Sequence, residues 1–167
     1  RLWRSGGGRG AAPRLGDPRR IGGFQIPRAL HLCRWASMDR RVLRALVRHQ
    51  QERFPKILKE LEKTGRKTSH WIWWVCPTQL PGRCDPIGSY VTRETASLLL
   101  ASESAEQWRT VLETLCDLTE KNGKSVLPPV DHGRVHYFLR FWAHVPDKPE
   151  WMEHVLRKLD RFDWKAR

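Results

Sequence analysis

Between residues 39 and 63 the apolar residues Leu43, Leu46, Val47, Phe54, Ile57, Leu58 and Leu61 recur at steps of three and four. That spacing gathers them on one face of an α-helix and leaves the intervening arginines, lysines and glutamates on the other. A stripe of this kind must be buried against other elements, so it commits this part of the chain to helix packing. Pro55 interrupts the pattern. It lacks the N–H of a helix interior, which predicts a kink or two consecutive helices, the second starting near Phe54 with Pro55 in its first turn. Gly65 then supplies the expected C-terminal stop.

The remainder continues in the same idiom. Ser69 is positioned to cap a short apolar helix over residues 70 to 76 that Pro77 ends, with a buried strand as the rival reading of so short a run. PTQLPGRCDPIG reads as a loop. Thr92 can cap a helix running through Ala101. Ser104 with Gln107 has the spacing of a capping box, followed by Trp108, Val111, Leu112, Leu115 and Leu118 in regular step up to Asn122-Gly123. KSVLPPVD reads as a second loop. Asp131 can cap a helix in which Val135, Leu139 and Trp142 align before Pro146, and Pro149 opens a last helix with Trp151, Val155, Leu159 and Phe162 inward. No repeat of solenoid length is visible. The expectation is an all-α protein: an irregular single-domain bundle of five or six helices over residues 38 to 167, preceded by a disordered basic tail over residues 1 to 37.

The tail holds much of the positive charge. The formal net charge is +13, and residues 1 to 37 carry eight arginines against the single Asp17, so this segment supplies +7 and the rest +6. Its Gly, Pro and Arg content and its lack of an apolar period read as disorder. A transit peptide, a nucleic-acid-binding arm and an upstream region translated ahead of a true start at Met38 all fit such a composition. The last is preferred, because helical periodicity begins directly after Met38 and because Ser is scarce while Gly and Pro are common. No run approaches the roughly 18 apolar residues of a spanning helix. The expectation is therefore a cytoplasmic protein, with organellar import if the tail is a transit peptide. Cys33, Cys76, Cys84 and Cys116 show no pairing pattern and read as reduced thiols. A zinc site from Cys76, Cys84, His132 and His136 is disfavoured, because its two cysteines have seven residues between them where a structural knuckle has roughly two to four.

KTSHWIWWVCPTQ, residues 67 to 79, concentrates three tryptophans behind a Ser-His pair. Gly65, Lys67, Ser69, His70, Trp71, Trp73, Pro77 and Gln79 resemble the signature Gly-x-Lys-x-Ser-His-Trp-x-Trp, then Pro-Gln, of a small helical, bacterial-type family of unknown function whose members often carry the automatic label "calpastatin". The similarity extends weakly over residues 43 to 163, through Gln50, Phe54, Tyr90, Glu94, Asp131 and Phe141. The chain departs from that pattern at Cys76, where Phe is usual, at the inserted Thr78, and at His136 and Tyr137, where a Ser pair is common. If those serines line a pocket in the family, this chain's pocket has changed chemistry. The resemblance implies a helical fold and no reaction.

Function must then be weighed from the residues. A Ser69-His70 nucleophile-base pair is discounted, because neighbouring side chains on a helix point roughly a hundred degrees apart. The preferred reading is a small anionic or nucleotide-like ligand near the 67 to 79 segment, with Lys67, Ser69, His70, Trp73 and Gln79 as candidate ligand residues and free N–H groups of the capped helix start meeting a phosphate or carboxylate. Against it stands a structural reading in which Trp71, Trp74 and Val75 are core, Ser69 is only a cap and His70 pairs with a buried carboxylate such as Asp131. The alternative function is a nucleic-acid or protein interaction module using basic helix faces, with Arg41, Arg44 and Arg48 as the nucleic-acid candidates, against which a merely solvated face is the plain account. The sequence names no metal, no cofactor and no reaction class.

Overall fold

The computed structural model describes residues 28–79, 85–86 and 88–165, with side chains from Asp39 onward. Among the described residues there are six α-helices and no β-strand: α1 Arg28–Thr64, α2 Ile72–Val75, α3 Arg93–Leu100, α4 Ala105–Asn122, α5 Pro129–Ala143 and α6 Glu150–Asp160. A 3-10 turn, Gly123–Val126, links α4 to the approach of α5. The all-α expectation holds.

α1 is one continuous helix through Met38 and through Pro55, so of the two expectations at Pro55 the pair of consecutive helices does not hold. It begins at Arg28, ahead of Met38, so residues 28 to 37 belong to the helix; RALHLCRWAS contains no Gly or Pro and is rich in good helix formers. Residues 1 to 27 of the anticipated tail, and the loop residues 80 to 84 and 87, lie outside the described residues, as do Cys84 and the side chain of Cys33. α1 also runs through Pro55 as one helix. Pro55 is exposed, so the carbonyl of Gln51 that it leaves without a helical donor is on the side where water can serve it. Gly65 ends α1 as anticipated, with φ of +65° and its N–H on the carbonyl of Leu61 at 2.8 Å.

α1 packs on α4 and α3, α4 on α6, and α6 on α5, while the single turn of α2 touches α1, α4 and α5 at once. The apolar stripe of α1 becomes core: Leu46, Phe54 and Leu61 are fully buried. Trp108 of α4 lies at the centre with Trp142, Phe138 and Trp151 around it at ring separations of 5.2, 6.5 and 5.8 Å, all steeply inclined, the arrangement aromatic quadrupoles favour. Gly88 closes the loop ahead of α3 onto α1. Its φ is +79°, and a Cβ there would stand 2.8 Å from the Cβ of Ala45, so glycine is required on both counts.

Three local caps resolve differently from one another. Thr92 does begin α3, its N–H donating to the Thr95 hydroxyl at 3.0 Å. Ser104 begins α4 without the anticipated capping box: its buried hydroxyl donates instead to Oε1 of Gln50 on α1 at 2.6 Å. Asp131 is no cap, because α5 already starts at Pro129 after Pro128, and Asp131 is buried within its first turn. In both corrected cases a partner distant in sequence outcompetes the local backbone for a short polar side chain. No described helix is long and apolar enough to cross a membrane.

Candidate functional site

Residues 71 to 78 form the spine of the interior. Trp71, Ile72, Trp74, Val75 and Cys76 are all buried, yet only one turn of helix is present to satisfy their backbone. Side chains from three other helices, and one backbone N–H, do the rest. The carbonyl of Trp74 accepts from Nε2 of Gln50 at 2.8 Å, that of Val75 from the Trp108 indole at 2.8 Å, and that of Cys76 from Nε of Arg134 at 2.9 Å. The Pro77 carbonyl accepts from the Trp142 indole at 3.0 Å, and that of Thr78 from the Val91 N–H at 3.2 Å. Five consecutive buried carbonyls thus meet donors from α1, α4, α5 and the strand-like residue before α3. Arg134 also donates to the carbonyl of Ser89 and makes a buried ion pair with Asp85, so it holds the segment and the following loop together. Burial pushes the Cys76 thiol far above its ordinary range, outweighing the opposing charge of Arg134, which suits a small core residue.

At the N-terminal end of the segment the polar residues turn inward. Ser69 does not cap α2, whose first flanking residue is Trp71. Its hydroxyl donates to Glu60 of α1, whose carboxylate also accepts from the N–H groups of Thr68 at 2.7 Å and Ser69 at 3.1 Å and from the Trp71 indole at 2.9 Å. Partial burial alone would raise the Glu60 pKa; the four donors outweigh it and hold the carboxyl at about 2. The N–H groups at this bend therefore already receive an anion, and it belongs to the protein. Lys67 is buried too, its Nζ 2.8 Å from Oδ2 of Asp131 with side-chain exposures of 6% and 10%, so Lys67 rather than His70 is the partner of that carboxylate. His70 is exposed and stacks on half-buried Trp73 at 6.4 Å. Of the five candidates, Lys67 and Ser69 are drawn into structural bonds, His70 and Trp73 form a surface pair, and Gln79 is exposed at the far end.

Gln79 lines a cleft of about 340 Å³. α5 forms its main wall through Tyr137, Arg140, Phe141 and His144, α3 contributes Arg93, and Thr78 joins Gln79 from the segment. Tyr137, Arg140 and Phe141 of α5 and His144, the residue that caps it, follow the steps i, i+3, i+4 and i+7, so they share a face, while Val135, Phe138, Leu139 and Trp142 occupy the buried one. Among the described residues neither Arg93 nor Arg140 has a carboxylate within ion-pair distance, and none of the residues lining the cleft is acidic. Nδ1 of His144 lies 2.8 Å from the carbonyl of Arg140 and must donate to it. Nε2 is then left to accept from a ligand when the ring is neutral and to donate when it is charged. The cleft can therefore offer two forked cations, a phenol, an amide and an aromatic face to a planar anionic molecule.

Sequence reading had Gln79 and had marked Tyr137 as a departure from the family pattern; it passed over Arg93, Arg140 and His144. The stripe of Tyr137, Arg140, Phe141 and His144 was readable as a polar and aromatic helix face. Arg93 carried no such signal, since only the pairing of Thr78 with Tyr90 draws the start of α3 beside the segment. On the other side of the alternative, Arg41, Arg44 and Arg48 are exposed on α1, where with Ala45 they line a shallow groove. Arg48 approaches Glu52 at 4.0 Å and Arg44 bonds back to the carbonyl of Arg40 at 3.4 Å. Among the described residues no group of three or more His, Cys, Asp and Glu side chains could hold a metal ion.

Fold and site together define a small helical domain with a basic, aromatic cleft where its central segment emerges at the surface. Residues 40–163 match the family described as "Protein of unknown function (DUF1810)", and the chain belongs to that family. This agrees with the resemblance at the level of a family of unknown function. Comparisons with curated proteins and with solved structures give no match.

Proposed function

We propose that the domain binds a small anionic, nucleotide-like ligand in the cleft of Gln79, Arg93, Tyr137, Arg140, Phe141 and His144. The observation that carries this reading is the pair of guanidinium groups, Arg93 and Arg140, that have no carboxylate within ion-pair distance among the described residues and lie beside two aromatic rings. Guanidinium groups suit phosphate and carboxylate through two parallel hydrogen bonds, and an aromatic ring gives a planar group a face to stack on. The 67 to 79 segment serves the site by delivering Thr78 and Gln79, with Lys67 and Ser69 anchoring its other end. A thermal-shift screen of nucleotides, sugar phosphates and small carboxylates should give at least one stabilising compound whose effect is lost in Arg140→Ala and in Arg93→Ala. A compound that stabilises both variants as it does the wild type would place the ligand elsewhere and end this reading.

A second reading, interaction with nucleic acid through α1, is favoured by the exposure of Arg41, Arg44 and Arg48 on neighbouring turns. Such binding would weaken steeply with salt and fall further when Arg44 and Arg48 become Ala. Binding that ignores both changes would exclude that face.

A further inference from the structure

A second cleft, of about 440 Å³, lies between α5 and α6, and Arg140 and His144 line it as well as the first. The two are therefore neighbours across one turn of α5, with a cation and an imidazole common to both. Their chemistry differs. The first has no acid among its lining residues, whereas the second adds Glu153 and Asp160 of α6 together with the cations Lys148 and Arg157, and has an apolar floor of Leu139 and Leu156. Among the described residues neither Glu153 nor Asp160 is engaged in an ion pair. Carboxylates beside an apolar floor suit a group with hydroxyls to donate and a carbon face to rest on. At about 340 Å³ the first cleft alone is near the lower limit of small-molecule sites, which occupy roughly 300–1,000 Å³, and the second, at about 440 Å³, brings the two together well inside that range.

Building on the ligand reading above, we infer that the ligand is bipartite, a nucleoside diphosphate carrying a sugar: base against Tyr137 and Phe141, diphosphate at Arg140 and His144, sugar over Leu139 and Leu156 with its hydroxyls on Glu153 and Asp160. Isothermal titration of the full chain with ADP and ADP-glucose, and with UDP and UDP-glucose, tests it. In at least one series the sugar nucleotide should bind at least tenfold more tightly than its own diphosphate. The exposed double substitution Glu153→Gln with Asp160→Asn should erase that gain, while the diphosphate alone should bind no more weakly than to the wild type. If a diphosphate binds in an Arg140-dependent way but neither sugar nucleotide gains, or the gain survives the double substitution, the bipartite ligand is wrong while the anion cleft stands. If no diphosphate or sugar nucleotide binds, the bipartite ligand is wrong, and the anion cleft is decided separately by the screen of sugar phosphates and small carboxylates.

Discussion

The two ends of the 67 to 79 segment carry similar residue types in opposite states. At the first end, Lys67 and Ser69 look like ligand groups, but each meets an internal carboxylate, Asp131 and Glu60, and the free N–H groups of the bend are on Glu60 as well. At the second end, Arg93 and Arg140 stand beside Tyr137 and Phe141 with no carboxylate within ion-pair distance among the described residues. The difference teaches that a polar residue in a motif marks a site only when the fold leaves its bonding capacity open. The Ser-His-Trp signature reads as the socket that fixes the segment, and the cleft is what that socket positions.

The largest effects should therefore come from breaking the first end. Lys67→Ala would leave Asp131 charged and buried, which costs roughly 3–5 kcal/mol, and Arg134→Ala would take the guanidinium from buried Asp85 and remove the donors to the carbonyls of Cys76 and Ser89. Urea unfolding of the two variants measures this. The double substitution Lys67→Met with Asp131→Leu should recover most of the loss, since apolar replacement of a whole buried pair is often neutral. A double variant as unstable as Lys67→Ala would mean that the pair is needed for packing and not for charge balance. A smaller loss, about 1–3 kcal/mol, is expected from Trp142→Phe, which keeps a ring in the core but removes the donor to the buried Pro77 carbonyl.

Glu60→Gln comes next, and pH gives it a signature. The folded carboxyl sits at about 2 against 4.5 for an ordinary glutamate, so its contribution is fully present above 4.5 and is lost as pH falls toward 2. Because Glu60 is only partly buried, about 1–2 kcal/mol at neutral pH is a suitable magnitude. The gap between wild type and Glu60→Gln should be constant above about pH 5 and close progressively toward pH 2. A gap that stays open at acid pH would show that the amide is penalised by geometry and not by lost charge.

Sequence periodicity made the fold legible where burial alone decides. The stripes of α1 and α4 predicted Leu46, Phe54, Leu61, Trp108, Val111, Leu112 and Leu115 as core, and all are buried. It misjudged Ser104 and Asp131, because rules for caps see only the neighbouring backbone and these side chains bond across the fold, to Gln50 and Lys67. The same blindness hid the role of Glu60, which in sequence is one more charge on the polar face of a helix. For the cleft, the α5 face was within reach of spacing arguments, but Arg93 comes from a different helix and needed the loop closure at Gly88 and the Thr78 to Tyr90 pairing to bring it there.

The smallest effect on stability should belong to the residues with the largest effect on binding. Arg93, Tyr137, Arg140 and His144 are exposed, and the side chains of Arg93 and Arg140 make no bond within the described residues. Replacing either arginine by Ala removes charge repulsion in a basic protein along with little packing, so unfolding free energy should stay within about 0.5 kcal/mol of wild type. His70→Ala should be equally mild, since His70 is exposed and contributes only its stack on Trp73. The two classes separate on ligand response: a compound that stabilises the wild type should stabilise His70→Ala equally and leave Arg140→Ala untouched. The reverse result, retention in Arg140→Ala and loss in His70→Ala, would move the site back to the Ser-His-Trp end and overturn the contrast between the two ends of the segment. The measurement is decisive because both variants remain folded, so a missing shift reports a missing contact and not a missing protein.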